Sequence, residues 1–209
     1  MIVLKYKKSA EARFISHIDL LRHTARVIRR AKISVKFSNG FNPHALIFFS
    51  PPLVVGVSSV AEYVAIDCNM SKEEVLERYN TSVPKGLEAL SCFECEKNPN
   101  LQAKIVCADY IFPTEYKSID MSDGFVIEYS KKGEKVIEDV ADKIFAFENN
   151  DGKLLARLAC GSVNLRPDRI IDELNRRLGA KINVVDIKKV AQYVQQDGAL
   201  VDVDEFLKG

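Results

Sequence analysis

The sequence lacks the features of exported, membrane-embedded and nucleotide-driven proteins. No segment approaches the run of about 20 apolar residues that a membrane-spanning helix needs, and the opening MIVLKYKKSAEARF contains no apolar stretch of signal-peptide length. The motifs G-x-x-x-x-G-K-[ST], G-x-G-x-x-G after a predicted strand, H-E-x-x-H and C-x-x-x-C-x-x-C do not occur. We therefore expect a cytoplasmic protein with no cofactor and no metal.

The number and spacing of the cysteines do not indicate a catalytic site. The five cysteines are an odd number in a chain with no export signal, which predicts free thiols rather than a disulfide framework. Cys92 and Cys95 have C-x-x-C spacing, but no second pair and no nearby histidine would complete four zinc ligands. Two residues of a strand are the favoured interpretation of this pair.

Charge is distributed unevenly along the chain. The net charge is +1, yet residues 1–50 carry ten Lys/Arg against two Asp/Glu, whereas residues 51–209 carry 20 against 27. A basic segment on a nearly neutral protein suggests an acidic partner, and nucleic acid is the most common one. The alternative is a fold in which the basic part packs on the acidic part.

The first half, residues 1–97, is predicted to be a ferredoxin-like βαββαβ domain that carries a basic helix and the NGFNPH loop. Ser16 and Ser71 precede helical patterns as N-caps, with an acidic residue three positions later in each case. Strand patterns occur at 2–7, 35–37, 46–49, 62–67 and 87–95. The first helix, from about His17 to Ala31, has an apolar stripe predicted to face the core. The stripe consists of Ile18, Leu21, Ala25 and Ile28 and is widened by Leu20, Val27 and Ala31.

The second half, residues 104–209, is predicted to be a second α+β domain. Strand patterns at 105–112, 125–129, 144–147, 154–159 and 184–194 surround one helix that begins near Pro167 and ends at Gly179. The polar stretch at 96–100 is the best candidate boundary. The predicted fold class is α+β, with two ferredoxin-like (split βαβ) or related antiparallel-sheet-plus-helix units in tandem.

The first helix carries the densest cluster of one charge type. Its arginines lie three, four, seven and eight positions apart, so their guanidinium groups can share one face and bind phosphates: Arg22, Arg26, Arg29 and Arg30. A charged helix face is otherwise only the solvated side of the helix. The sequence leaves these two interpretations equally open.

The loop after this helix is the second candidate. Asn39-Gly40 favours a turn with positive φ, Pro43 stiffens the exit, and Phe41, Asn42 and His44 offer a ring, an amide and an imidazole. That combination suits an unstacked base or a flat ligand. The alternative is a hairpin turn with Phe41 in the core, which the loop taken alone favours.

Histidine is scarce, with three in the chain. His17 and His44 flank the basic segment and are weak catalytic candidates for acid/base chemistry on a ribose-phosphate linkage, or for a metal together with Asp19. A histidine at a helix start is more often a local hydrogen-bond partner, and no set of nucleophile, base and orienting group is visible.

Taken in order, these segments resemble a known bacterial family. The run 12–22, the helix end at 29–31, Ser38 to His44, and Pro51-Pro52-Leu53 to Gly56 with Glu62 are similar to the radical-SAM-linked domain family, whose function is unknown. Ala45 stands where a second proline is expected, which loosens the loop exit. The resemblance implies an accessory role beside a radical-SAM enzyme and a binding surface made of these matching residues: His17, Asp19, Arg22, Gly40, Phe41, Asn42, Pro43, His44 and Glu62.

Three functions are compatible with these features. The first is an accessory RNA-binding module that acts with a radical-SAM enzyme in tRNA or rRNA modification. The second is a small metal-independent endoribonuclease of RAMP-like fold. The third is a protein-interaction domain whose basic face docks on an acidic partner.

Overall fold

The computed structural model describes the backbone of residues 1–209 and every side chain except that of Lys131. Helix accounts for 25% of the residues and strand for 38%, so the predicted α+β class is confirmed. Among the helices that the structure describes, none has the length and apolar character to cross a membrane. All five cysteines are free thiols, as predicted.

The first half folds as the predicted sequence of strands and helices. Its elements in chain order are β1 (Ile2–Lys8), α1 (His17–Arg30), β2 (Ile47–Phe49), β3 (Ser58–Ile66), α2 (Lys72–Ser82) and β4 (Ala89–Glu94). The strands lie side by side in the order β4-β1-β3-β2, and every neighbouring pair is antiparallel. This is the strand order of a split βαβ unit.

The second half has the same order of strands and helices along the chain as the first, except that one helix is replaced. Its elements are α3 (Leu101–Lys104), β5 (Ile105–Glu115), β6 (Val126–Lys131), β7 (Glu134–Asp139), β8 (Ile144–Asn150), β9 (Lys153–Ala159), α4 (Ile171–Leu178), β10 (Lys188–Gln196), β11 (Ala199–Asp202) and α5 (Val203–Phe206). The strands β10-β5-β9-β8 form an antiparallel path. The hairpin β6–β7 occupies the place in the chain that α1 has in the first half.

The two halves join into one nine-stranded sheet. Strand β10 pairs parallel to β3, with Lys188 opposite Ser58 and Lys189 opposite Ser59. Strand β2 pairs with the other end of β3. The predicted boundary at 96–100 falls between β4 and β5, and the strands on its two sides share a continuous sheet.

The first half of the sheet contributes to two cores, one on each of its faces. Helices α1 and α2 cover one face of the first half around Leu4, Tyr6, Val27 and Tyr79. Residues from the opposite face of β1 and β3, including Tyr63, belong to the larger core of the second half. The first half is thus covered by its own helices on one side and by the second half on the other.

Helix α1 begins as predicted and packs on one part of the predicted apolar stripe. The Ser16 hydroxyl accepts a hydrogen bond from the Asp19 amide at 3.2 Å, and Ser71 caps α2 in the same way through Glu74 at 3.2 Å.

The buried residues of α1 are Leu20, Thr24, Val27 and Ile28, and Ala31 at its end is buried too. The stripe is therefore confirmed for Ile28 and for the flanking Leu20, Val27 and Ala31. It is wrong for Ile18, Leu21 and Ala25, because the helix has apolar residues over a wide arc and the sheet covers only part of it.

Two predicted strands also change. Residues 35–37 form no strand, and only isolated bridges join Val35 to Cys68 and Phe37 to Ala45. The closing strand begins at Lys188 rather than at 184, because residues 184–186 form a short 3-10 turn. At 184–186 local hydrogen bonds close the turn, from the Asp186 amide to the Asn183 carbonyl oxygen and from the Ile187 amide to the Val184 carbonyl oxygen. At 35–37 the isolated bridges are too few for a regular strand.

Gly161 provides a test of the packing at the end of β9. Its φ is +105°, and a Cβ placed there would lie 2.4 Å from the Ile105 carbonyl oxygen. Gly161→Ala is expected to lower the free energy of unfolding by about 2 kcal/mol or more, because left-handed strain and a backbone clash act together. Urea denaturation measures this loss.

The matched control is Gly152→Ala. Gly152 has a φ of +81° but nothing within 4 Å of the added Cβ, so this variant carries the backbone strain without the clash. If both variants lose the same free energy of unfolding, the clash with the Ile105 carbonyl oxygen does not contribute to the loss.

Candidate nucleic-acid interface

The outer face of α1 presents arginines with few acidic partners. Arg22, Arg26 and Arg29 are exposed, and Arg30 donates a hydrogen bond to the Ser82 carbonyl oxygen at 3.1 Å. Arg22 lies 3.9 Å from Asp19, and both side chains are about two-thirds exposed, so that pair is weak. Among the described side chains no carboxylate lies within ion-pair distance of Arg26 or Arg29. The guanidinium groups are available for an external anion.

An apolar strip runs beside the arginines on the same helix. Ile18 is 61% exposed, and Leu21 and Ala25 are also on the surface. These are the residues that the sequence places in the core. Their exposure makes the outer face of α1 mixed in character, with cationic groups next to aliphatic ones.

The loop between α1 and β2 is held in one shape by its own hydrogen bonds. The Ser38 amide donates to the His44 carbonyl oxygen at 2.9 Å, and the His44 amide donates to the Ser38 hydroxyl oxygen at 3.0 Å. Gly40 adopts a φ of +127°, which glycine accepts at little cost. Phe41 is fully exposed at the tip, so the alternative that placed it in the core is wrong.

Helix and loop together border a groove of about 480 Å³. The helix contributes Ala25, Ile28 and Arg29, and the loop side contributes Phe37, Pro43 and His44 among others. The structure therefore brings Arg29, Pro43 and His44 of the predicted site to one surface feature. Asn42 and Phe41 lie on the exposed part of the same loop.

His44 is held within the loop by two contacts with Ser38. Its Nδ1 lies 2.9 Å from the Ser38 hydroxyl oxygen, which also accepts from the His44 amide. A hydroxyl oxygen has two acceptor lone pairs as well as a proton, so Ser38 donates to Nδ1 in one ring tautomer and accepts from it in the other. In either tautomer the Nε2 edge of His44 offers a polar group on the exposed side of the loop.

His17 has different surroundings from His44. Its ring packs edge-on against Phe49 with the centroids 6.0 Å apart. Burial lowers the pKa of His17, and Lys8 lowers it further, while Glu62 acts in the opposite direction. The described contacts do not link the two imidazoles, and the described residues contain no group of three or more His, Cys, Asp or Glu side chains placed to hold a metal ion.

Glu62 lies in the core and not on the surface formed by α1 and the loop. It is 3% exposed, and its Oε1 lies 2.9 Å from Lys189 Nζ, although the approach is too bent for a hydrogen bond. The attraction between the two is therefore mainly Coulombic. Glu62 is separated in this way from the loop and from the arginines of α1, but its charge acts on His17, whose pKa it raises against the larger lowering by burial.

Sequence reasoning missed the two buried lysines around Glu62. Lys8 and Lys189 are 1% and 0% exposed, and both lie directly opposite Ser59 in the sheet, one on each side of β3. Lys8 Nζ donates to the Ile15 carbonyl oxygen at 2.7 Å, and burial lowers the pKa of Lys8. The sequence contained a signal for both lysines. Lys8 follows Leu4 by four positions and Lys189 follows Ile187 by two, so each lysine side chain points to the same face of its strand as a buried apolar residue.

Residues 1–167 match the model of a family described as "Uncharacterized protein conserved in bacteria (DUF2344)". No curated protein matches the chain. The match covers all of the first half and the segment through β9, and it includes every residue of the surface described above.

The buried ion pair yields a prediction about stability. Lys189→Met removes the cation beside Glu62, and the free energy of unfolding is expected to fall by about 3–5 kcal/mol because a buried carboxylate loses its partner. The double variant Glu62→Gln, Lys189→Met is expected to recover part of this loss. Urea denaturation at neutral pH measures both.

Lys188→Met is the control, since Lys188 is exposed and adjacent in the same strand. If Lys189→Met lowers the free energy of unfolding no more than Lys188→Met does, the prediction that the buried carboxylate needs its cation is contradicted.

The environment of His17 predicts how stability depends on pH. Its folded pKa lies below the unfolded value of 6.5, so the unfolded chain binds the proton more readily. The contribution of His17 to the free energy of unfolding is therefore fully present above pH 6.5 and is lost as the pH falls through the folded pKa. His17→Gln is expected to show a shallower loss of stability than the native protein between about pH 7 and about pH 5.5.

A nuclear magnetic resonance titration of the His17 ring checks the cause directly. A midpoint at or above 6.5 would show that burial does not control this group.

Proposed function

The chain belongs to the bacterial family DUF2344, and we propose that it is an RNA-binding module that presents a tRNA or rRNA to a radical-SAM modification enzyme. The observation that carries the RNA-binding part is the row of exposed arginines on α1 beside a loop whose aromatic tip is fully exposed. Arginine contacts to phosphate supply affinity that does not depend on base sequence, and aromatic side chains stack on unpaired bases.

The arrangement of charge supports a polyanion as the ligand. Arg22, Arg26 and Arg29 follow one another along about ten ångströms of helix, from the rise of about 1.5 Å per residue. Their only close acidic neighbour among the described side chains is Asp19, at 3.9 Å from Arg22. A surface used only for solubility gains from alternating charge, whereas a row of one sign suits repeated phosphates.

The accessory role rests on the resemblance of the helix and loop motifs to the radical-SAM-linked domain family. It divides the work between two proteins: this one holds the RNA, and the enzyme performs the radical chemistry. The endoribonuclease alternative has less support, because His17 packs against Phe49 in a half-buried position while His44 bonds to Ser38 in an exposed loop.

A second candidate, docking on an acidic partner protein, is favoured by the aliphatic strip of α1. Ile18, Leu21 and Ala25 are exposed next to the arginines, and interfaces between proteins commonly combine apolar contacts with charged rims. In that case the arginines would contact carboxylates, and affinity for RNA at physiological salt would be negligible.

The test is a fluorescence titration of bulk tRNA at about 50 mM and about 200 mM salt. If three arginines contact phosphates, affinity should fall about 20- to 40-fold over this range. Arg22→Glu, Arg29→Glu is expected to reduce binding at the lower salt by at least tenfold, because attraction at two sites becomes repulsion.

The matched control is Lys153→Glu, Lys181→Glu, which changes the net charge by the same amount on exposed residues of the second half. Equal loss in both double variants would indicate attraction to overall charge rather than a site on α1. Absence of binding to any RNA would eliminate the proposal and leave docking on an acidic protein.

A further inference from the structure

We propose that the groove between α1 and the loop holds one unstacked nucleobase of a single-stranded RNA segment while the arginines hold its phosphates. This inference rests on the proposed RNA-binding function and adds the kind of RNA and the contact that selects it.

The groove has the dimensions and the floor of a site for a small flat group. Its volume of about 480 Å³ falls in the range of about 300–1,000 Å³ that is usual for small-ligand sites. Ile28 lies at its base and is 2% exposed, and Val35 and Ile47 add further apolar surface. Such a floor excludes water and favours an uncharged ring over a phosphate.

Phe37 supplies an aromatic wall that the fold does not use. It lines the groove and is 59% exposed, and the only strand-like contact that holds it is the bridge to Ala45. Leaving a phenyl ring this exposed is unfavourable unless it packs on something else. The face of a nucleobase would cover it, and stacking of this kind is tolerant of base identity.

His44 and Arg29 provide polar groups at the edges of the same groove. Ser38 engages Nδ1 of His44, so its Nε2 is the ring nitrogen left to bond the edge of a base, as a donor or an acceptor according to the tautomer. Arg29 lines the groove from the helix side, with Arg22 and Arg26 farther along. A base in the groove would therefore have its neighbouring phosphates near cationic side chains.

Duplex RNA cannot place a base in this way. In an A-form helix each base face is covered by its neighbours, and extracting one costs unstacking and unpairing energy. A single strand, a loop or a bulge has no such cost. The groove consequently predicts a preference for unpaired RNA, in addition to the phosphate affinity of the arginines.

The experiment compares a single strand of about 12 nucleotides with a duplex of the same length, each carrying 2-aminopurine at the centre. The native protein is expected to bind the single strand about tenfold or more tightly than the duplex and to quench the fluorescence as the base stacks. Phe37→Ala should weaken single-strand binding about tenfold, leave duplex binding nearly unchanged and abolish the quenching.

Phe145→Ala is the control, since Phe145 is 50% exposed on β8 in the second half. It should leave both affinities as in the native protein. Urea denaturation of Phe37→Ala checks that the fold is kept.

The outcomes separate this inference from the proposed function. Arginine-dependent binding with equal affinity for single strand and duplex, or a preference that survives Phe37→Ala, overturns the base site and leaves RNA binding intact. Absence of binding to either RNA overturns both.

Discussion

The parallel pairing of β3 with β10 is the constraint on which the rest of the molecule depends. It is short, with Lys188 and Lys189 opposite Ser58 and Ser59, yet it converts two four-stranded paths into one sheet. Side chains secure it further. Gln192 donates to the Ala61 carbonyl oxygen, and Arg13 donates to the Val185 carbonyl oxygen from the segment that precedes α1.

The buried charges lie at this same junction. Lys8 and Lys189 approach from the two strands that flank β3, and Glu62 on β3 supplies a negative charge between them. An ion pair in a core contributes little net stability compared with apolar packing, but removing one partner is costly because the other charge stays buried. The residue that the family resemblance groups with the binding surface is in this way part of the support beneath it.

This support explains why the outer face of α1 is free for binding. The helix buries Leu20, Val27 and Ile28 on the sheet, and the second half covers the opposite side of that sheet and not the helix. The arginines, the aliphatic strip and the loop around Phe41 thus remain on one accessible side. The groove is bordered on one side by a helix packed on the sheet and on the other by a loop whose own hydrogen bonds join Ser38 and His44.

Much of the architecture was predictable because it depends on local signals. The serine caps of α1 and α2, the glycine end of α4 and the strand alternation of β1 are encoded within a few residues of each element. The hairpin partner β7 and the terminal elements β11 and α5 were not predicted. Their sequence patterns are short or weakly periodic. These segments become regular through the strands with which they pair or on which they pack.

Local signals account for the α+β class, the basic character of the first fifty residues and the turn chemistry of the loop, because composition, caps and glycine positions act over a few residues. Long-range packing sets which part of the apolar surface of α1 is buried, places Glu62 among lysines and leaves Phe41 exposed. Several stripes of α1 are apolar enough to enter a core, and the choice among them depends on the shape of the sheet. That shape is set by residues far apart in the chain, from Ser58 to Lys189, whose pairing no local pattern records.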